Sequence, residues 1–334
     1  GYRVLLAEQG DLGQGTSSGS TKLIHGGLRY LEQFQFRLVR EALKERDVLL
    51  RIAPHIIRPM RFVLPIDRAM RPAWMIRAGL FLYDHLAGRE RLGGTRRLDL
   101  SQNPAGAPLK ARAETAFEYS DCWVDDARLV VLNATDAAAR GAVIETRTRV
   151  TQARRVREAD GGPWRLDLED VVSGAQRQVS ARVLVNAGGP WLDTVARDVI
   201  GENRGERLRL VQGSHIVVPR LYDHDKSYTF LNTDGRVIFA GPYEDRFTLL
   251  GTTEVETRDD PGAARMTMQE RDYLVDISNS RFSRQISAAD IVWSFAAVRP
   301  LVGRGEASAR EESRDYKIDV STHDEAVLVS IAGG

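Results

Sequence analysis

Apolar and polar positions along this chain follow two periods, and the changes from one to the other mark its parts. Residues 3–8 form a short, largely apolar run closed by an acid, with both faces apolar, as in a strand buried in a parallel sheet. Residues 36–53 carry Val39, Ala42, Leu43, Leu49, Leu50 and Ala53 at helical spacing, with Arg40, Glu41, Lys44 and Glu45 on the other face. Pro54 ends that helix and leaves His55 in a turn. Residues 58–65 read as a strand bounded by prolines. Residues 74–86 are helical but apolar on more than one face. That pattern favours a helix buried in a second domain over one at a membrane interface, a site its aromatics with Arg71 and Arg77 also suit. Residues 117–126 mix aromatics with acids, and Asp125 or Asp126 is placed to cap a helix over 127–140.

The second half is mostly strand-like. Residues 143–150 alternate, and 164–168 with 177–179 form a hairpin around Ser173-Gly174. Residues 183–191 read as a buried strand running into Gly188-Gly189, with Pro190 at a helix start. Between 208 and 300, short strands at 215–219, 228–231, 236–240 and 247–251 predict an antiparallel sheet. Thr267 to Glu270 is a capping box that opens a helix to about Ser280. A strand over 290–298 delivers Arg299-Pro300, and runs at 316–320 and 327–331 follow.

Composition narrows the class. With 334 residues, 43% hydrophobic and 28% charged, the chain is globular, with core enough for roughly two domains. A net charge of +1 gives no global field for nucleic acid. A single cysteine, Cys122, excludes an internal disulfide and every CxxC or zinc-finger pattern. No apolar run reaches the ~20 residues of a membrane-crossing helix. The sequence reads as cut at both ends: it opens inside a strand and stops at Gly333-Gly334, a strand entering a glycine turn.

Two stretches carry candidate chemistry. In Thr16-Ser17-Ser18-Gly19-Ser20-Thr21-Lys22, small hydroxyl residues suit phosphate or ribose oxygens; His25-Gly26-Gly27-Leu28-Arg29-Tyr30 follows, where glycine lets the backbone approach a large ligand. The plain alternative is a surface loop. The turn at Gly188-Gly189 allows a similar close approach beside a helix start, or is merely a structural turn. Glu8, at the end of the first strand, is positioned to accept ribose hydroxyls if that strand belongs to a dinucleotide-binding unit. His215 on a strand is either a satisfied buried histidine or a base that accepts a proton near pH 7.

Ser20-Thr21-Lys22-Leu23-Ile24-His25-Gly26-Gly27-Leu28-Arg29-Tyr30-Leu31-Glu32 resembles the signature of the FAD-dependent, respiratory glycerol-3-phosphate dehydrogenases. Tyr119-Ser120-Asp121-Cys122-Trp123-Val124-Asp125-Asp126, Gly213-Ser214-His215-Ile216, Gly251-Thr252-Thr253-Glu254 and Val298-Arg299-Pro300-Leu301 are similar to that family in the same order. The resemblance implies an α/β fold with an α+β substrate domain. Its Rossmann-like FAD-binding domain is of the glutathione-reductase/D-amino-acid-oxidase type, over 1–55, 125–205 and 323–334, and an antiparallel-sheet substrate domain covers 56–124 and 206–322. It also implies an N-terminal strand with a glycine-rich phosphate turn before Gly1, and a lysine with a helix after Gly334.

The implied activity is oxidation of sn-glycerol 3-phosphate to dihydroxyacetone phosphate, with electrons passed to a membrane quinone. FAD is the implied cofactor, with no metal. Glu8, Thr16, Ser17, Ser18, Ser20, Thr21, Lys22, His25, Gly26, Gly27, Val150, Gly188 and Gly189 would hold it. Arg29, Tyr30, Arg299 and Arg314 would clamp the phosphate, because the arginine fork matches two oxygens at once. Thr252 and Thr253 would orient the substrate hydroxyls, and His215 would be the base. The family implies a cytoplasmic enzyme, peripheral on the inner face of the cell membrane, and leaves a homodimer open. The competing readings are an oxidase that passes electrons to oxygen, a flavin amine or amino-acid oxidase, and a non-catalytic binding module.

Overall fold

A computed structural model of the chain describes residues 1–66, 72–87, 91–110, 114–157, 161–202, 208–232, 234–302 and 315–333. Among these the largest sheet has ten strands. Its path runs through Val255–Thr257, Leu208–Pro219, Phe247–Gly251, Val237–Tyr243, Ser227–Leu231, Ile57–Pro65, Thr115–Val124 and Leu23–Ile24. Trp293–Val302 joins the Leu208–Pro219 strand, and Arg96–Asp99 joins Thr115–Val124. The pairing is antiparallel except where Ser227–Leu231 meets Ile57–Pro65.

Successive side chains on a strand point to opposite faces, so this sheet feeds one core on each face, the second covering only part of its face. Ile216, Val218, Ile238, Ala240 and Leu250 sink into a core with Tyr228, Leu274 and Phe282. Helix Met268–Arg281 covers that face, and the predicted Thr267–Glu270 capping box is formed. On the opposite face, Val39, Leu43, Leu80 and Tyr83 pack against Phe62, Leu64, Phe117 and Tyr119. They come from helices Phe36–Ile52 and Ala73–His85.

The second of those helices departs from the expected burial. Leu80 and Tyr83 are buried, but Trp74 is 68% and Phe81 61% exposed. Its apolar residues run around the helix, whereas a neighbouring sheet covers only one stripe of a helix. Arg71 lies outside the described residues.

Three smaller sheets complete the chain. Leu5–Ala7 runs parallel to Val143–Glu145. Val183–Asn186 runs parallel to Ala326–Gly333, which pairs antiparallel with Tyr316–His323. Thr148–Arg155, Trp164–Asp170 and Gln176–Ala181 form an antiparallel three-stranded sheet that contains the predicted hairpin. The expected strand over 143–150 is therefore two strands, separated at Arg147 (φ +53°). The strand expected from 290 begins at Trp293, after a short 3-10 turn at Ala288–Asp290.

The strands near 5 and 183 were expected to be buried on both faces. Leu5, Leu6, Val183 and Val185 are instead exposed. Among the described residues each of these strands has one strand neighbour, and these side chains remain uncovered.

Candidate active site

Strand register brings the candidate base to the centre of the free sheet face. Phe295 lies opposite His215, His215 opposite Gly251, Gly251 opposite Phe239, and Phe239 opposite Thr229. One row thus crosses five strands. Gly213 and Ala297 form the next same-face pair. A cavity of about 870 Å³ stands over this floor, and His215, Phe239, Thr229, Gly213 and Ala297 line it.

Glycines are needed here for space. A Cβ on Gly251 would lie 2.1 Å from the His215 ring, and one on Gly213 would lie 2.5 Å from Thr252 Oγ1 and 2.8 Å from Arg299 Nη2. A Cβ on Gly19 would meet that of Ala297 at 2.3 Å. The small-residue loop can therefore rest directly on the sheet, where Thr16 Oγ1 donates to the Val298 carbonyl at 2.7 Å.

That loop turns most of its polar groups inward. Ser20 Oγ donates to Asp126 at 2.6 Å. The buried Lys22 ammonium donates to both Asp126 oxygens at 2.8 Å and to the Ser18 carbonyl at 2.5 Å. Lys22 therefore acts as a strut, its ammonium turned into the protein beneath the loop. Asp126 anchors this strut, and the capping role belongs to Asp125, which accepts the Arg128 N–H at 3.1 Å. Thr21 Oγ1 is 2.8 Å from His215 Nε2.

His215 is buried and stacks on Phe295 with ring centroids 4.8 Å apart. Its Nδ1 is buried without a hydrogen-bond partner. Burial, then the positive charges of Arg299 and Lys22, lowers its pKa to about 3, so the ring is neutral at physiological pH. Behind it, the buried Glu270 fixes the flanking residues. Ser214 Oγ and Thr253 Oγ1 donate to one carboxylate oxygen at 2.8 and 2.6 Å. Gln212 Nε2 and the Thr267 N–H donate to the other, each at 2.9 Å. Thr253 is thereby held behind the cavity wall, and its partner Thr252 faces the cavity.

A second buried carboxylate lies behind His25. Asp121 accepts from Arg46 at 2.8 Å and from the Tyr83 hydroxyl at 2.8 Å. The Tyr83 oxygen in turn accepts the Gly26 N–H at 2.7 Å. Gly26 is packed so closely that a Cβ would lie 2.5 Å from Leu43. His25 opens onto the cavity with protein on its other sides; burial lowers its pKa, with Asp121 opposing and Arg46 adding to the shift. Gly27 has φ +70°, and the Tyr30 ring folds over it.

Arg29, Tyr30 and Arg299 line the same cavity as His215. Arg299 Nη2 donates to Thr252 Oγ1 at 3.1 Å. Arg314 lies outside the described residues.

Other expected site residues lie elsewhere. Glu8 accepts the Gly10 N–H at 2.7 Å on the small parallel sheet, and Val150 packs with a core around Trp164. Ser17 is exposed and Ser18 half-buried at the start of the loop. The Gly188-Gly189 turn is held by Asn186, which accepts the Gly188 N–H at 3.2 Å. It leads to Trp191, whose ring faces Gly15 at 3.4 Å from a built Cβ, so the turn sits beside the hydroxyl loop. Gly189 has φ +53° and open space at its Cβ position.

Asp121, Tyr83, Arg46 and Glu270 were not singled out as site residues from the sequence. Only Glu270 carried a local signal, its capping box. The pairing of Asp121 with Arg46 and Tyr83 spans 75 and 38 positions.

The residues present fit a flavin. The cavity joins a hydroxyl-rich loop suited to phosphate oxygens to apolar walls at Leu23, Leu64 and Phe239 suited to a flat ring. The unpartnered buried His215 Nδ1 is a further mark of a site built around a ligand.

Residues 1–320 match the family described as FAD dependent oxidoreductase. The chain is 50% identical, over its whole length, to a glycerol-3-phosphate dehydrogenase of Pseudomonas aeruginosa, of which it covers 64%. It is 48% identical, again over its whole length, to D-erythritol 1-phosphate dehydrogenase of Brucella abortus, of which it covers 66%. Among solved structures, it resembles the FAD complex of glycerol-3-phosphate dehydrogenase from Bacillus halodurans. The TM-score is 0.74 at 28% identity, covering 100% of this chain and 56% of that one. The chain thus spans about two thirds of the length of these curated relatives.

Proposed function

This chain belongs to the FAD dependent oxidoreductase family, and from that premise we propose that it is the larger part of an enzyme that oxidises a polyol phosphate at a secondary alcohol. sn-Glycerol 3-phosphate is the favoured substrate and dihydroxyacetone phosphate its product. The observation that carries this reading is one cavity lined by a neutral buried histidine, His215, and by two arginines, Arg29 and Arg299. A simple amine offers no anion to such a pair of forks, and an amino acid offers one carboxylate where a phosphate dianion can engage both.

When bound, FAD supplies the acceptor for the hydride that leaves substrate C2. Thr16–Gly19 with Ser20, Thr21 and the backbone at Lys22 would hold it, together with His25, Gly26 and Gly27, and the Gly188-Gly189 turn would support it from beside the loop. Glu8 and Val150 belong to the nucleotide end. Arg29, Arg299 and Tyr30 grip the phosphate, and Thr252 orients the hydroxyls, braced by Thr253.

His215 accepts the hydroxyl proton at Nε2, the nitrogen that meets Thr21. This needs the tautomer with its hydrogen on Nδ1. A pKa near 3 makes His215 a weak base as the chain stands. A phosphate dianion at Arg299 cancels one of the charges that depress it, so substrate binding strengthens its own base.

Residues 1–55, 125–205 and 323–334 form the cofactor half of this reading, and 56–124 with 206–322 the substrate half. The parallel pairs of Leu5–Ala7 and Val183–Asn186 in the first, and nine of the ten strands of the largest sheet in the second, support that division, with Leu23–Ile24 crossing between them. A membrane quinone is the proposed electron acceptor, met at the inner face of the cell membrane. Phe34, Phe36, Met75 and Leu82 line the cavity and are exposed, and an apolar lip of this kind supports the membrane reading. No helix of the described residues is long and apolar enough to cross a membrane.

The decisive experiment is anaerobic flavin reduction in the full-length protein by sn-glycerol 3-phosphate, D-erythritol 1-phosphate and an amine panel. Reoxidation by a quinone analogue is then compared with reoxidation by oxygen. Reduction by glycerol 3-phosphate and fast quinone reoxidation are expected. A clear preference for D-erythritol 1-phosphate moves the assignment to the longer polyol phosphate, the second reading that the Brucella abortus relative supports. Reduction by amines alone overturns the proposal. Rapid peroxide formation makes the protein an oxidase.

A further inference from the structure

A side chain of the protein already occupies the nitrogen at which His215 would receive a proton. A neutral imidazole has one N–H and one nitrogen with a single lone pair. His215 Nδ1 is buried without a hydrogen-bond partner, so a substrate in the cavity does not reach it. Nε2 lies 2.8 Å from Thr21 Oγ1. With the hydrogen on Nδ1, the Thr21 hydroxyl donates to Nε2 and fills its lone pair. A substrate hydroxyl cannot donate to the same nitrogen at the same time. Thr21 also lines the cavity, and its hydroxyl oxygen retains acceptor capacity while it donates.

The residue that follows Thr21 fixes its place. Lys22 has φ +61°, a left-handed conformation that is costly for a residue with a side chain. Three ties hold that turn. The Lys22 N–H donates to Ser20 Oγ at 3.0 Å, its carbonyl accepts the Val124 N–H at 2.9 Å, and its ammonium donates to Asp126 at 2.8 Å. The imidazole is fixed as well. Phe295 stacks on it, and Gly251 packs so closely that a Cβ there would lie 2.1 Å from the ring. The strut under the loop therefore has a use at the site: it sets a hydroxyl against the base.

We propose that the Thr21 hydroxyl is the catalytic proton relay between the substrate and His215. This rests on the polyol-phosphate reading above and gives its proton a path. The proton of the substrate C2 hydroxyl moves to Thr21 Oγ1 as the hydrogen of Thr21 moves to His215 Nε2. The C2 hydrogen leaves with its electron pair as the hydride that FAD accepts, and the C2–O bond becomes the product carbonyl. Thr21 ends as a hydroxyl again, and His215 ends as an imidazolium that releases its proton to water once the product has left.

The test compares Thr21→Val, which keeps the shape and removes the hydroxyl, with Thr21→Ser, which keeps the hydroxyl, in the full-length holoenzyme. Melting temperature and flavin absorbance check folding and loading. Thr21→Val is expected to slow anaerobic flavin reduction by sn-glycerol 3-phosphate about a hundredfold, and Thr21→Ser to stay within about threefold of the wild type. Nitrogen-15 spectra of histidine-labelled protein, assigned with His215→Gln, are expected to show the His215 hydrogen on Nδ1 and a displaced Nε2 signal in Thr21→Val. Wild-type reduction by Thr21→Val overturns the proposal. So does equal slowing of both variants, which would make the role one of packing, or loss of flavin from either, which would give the hydroxyl to the cofactor. If the wild type oxidises no polyol phosphate, the functional reading fails. A hydrogen found on Nε2 in a protein that does oxidise one removes the relay alone and leaves the substrate assignment standing.

Discussion

Two buried carboxylates stand behind the two cavity histidines, and they are held in opposite ways. Glu270, behind His215, is surrounded by neutral donors: Ser214, Thr253, Gln212 and the Thr267 backbone. Asp121, behind His25, is held by a cation, Arg46, and by the Tyr83 hydroxyl. Burial raises the pKa of both. At Glu270 hydrogen bonds led by that of Thr253 more than reverse the shift, so the net is a lowering. At Asp121 burial prevails over Arg46, and the net is a rise. A carboxylate saturated with local donors stays ionised on its own, whereas one paired with a distant cation depends on that partner. The first arrangement sets His215 beside a permanently fixed strand. The second ties the His25-Gly26 backbone to helices Phe36–Ile52 and Ala73–His85.

The largest expected effect tests whether the two histidines differ in role as well as in support. His215→Ala should slow flavin reduction by substrate roughly a thousandfold while retaining the flavin. Normal anaerobic reduction in that variant would remove His215 from the mechanism. Next comes Asp121→Ala, which removes the buried partner of Arg46, leaves it only Asp47 at 3.2 Å and the Ser120 carbonyl at 3.1 Å, and should cost up to about 3–5 kcal/mol in denaturant unfolding. Adding Arg46→Met should return most of that loss. If the double variant is no more stable than the single one, the dependence on the cation is wrong.

Glu270→Gln keeps the shape of the side chain but sets an NH2 against donors, so about 1–3 kcal/mol is expected from the same unfolding measurement. A larger loss than that of Asp121→Ala would invert the comparison. The smallest effect concerns acid. The His215 pKa, lowered to about 3, lies below its unfolded value of about 6.5. Its contribution is complete above that unfolded value and is lost as pH falls toward 3. Glu270, also lowered, adds to the loss only below its ordinary value of 4.5. Asp121, raised, acts with the opposite sign and favours the folded state as it protonates. His215→Gln should therefore reduce the slope of the stability profile between about pH 6.5 and 4.5, leaving the part that His25 and His224, also lowered, contribute with the same sign. An unchanged slope there would show that His215 is not the group responsible.

The same contrast separates what could be read from the chain from what could not. The Glu270 capping box, the helix over Phe36–Ile52, the hairpin at Trp164–Asp170 and Gln176–Ala181, and the antiparallel run after 208 all follow from spacing over a few residues. Motif resemblance added Arg29, His215 and Arg299, and these do meet in one cavity. The inward use of Lys22 was not legible, because its partner Asp126 is 104 positions away and has an equally good local role as a cap. The exposure of Trp74 and Phe81 was missed for a related reason. An all-round apolar helix has the same pattern whether a partner covers it or not.

The sequence by itself determined periodicity, caps, turns and the residue types of a flavin and phosphate chemistry, since each of these depends on neighbours within one or two turns of chain. Tertiary structure alone decided the row Phe295, His215, Gly251, Phe239 and Thr229, and the closure of Asp121 on Arg46. Strand register and buried charge pairing join residues far apart in the chain. Only the packed sheet selects among the many pairings that its alternating pattern would allow.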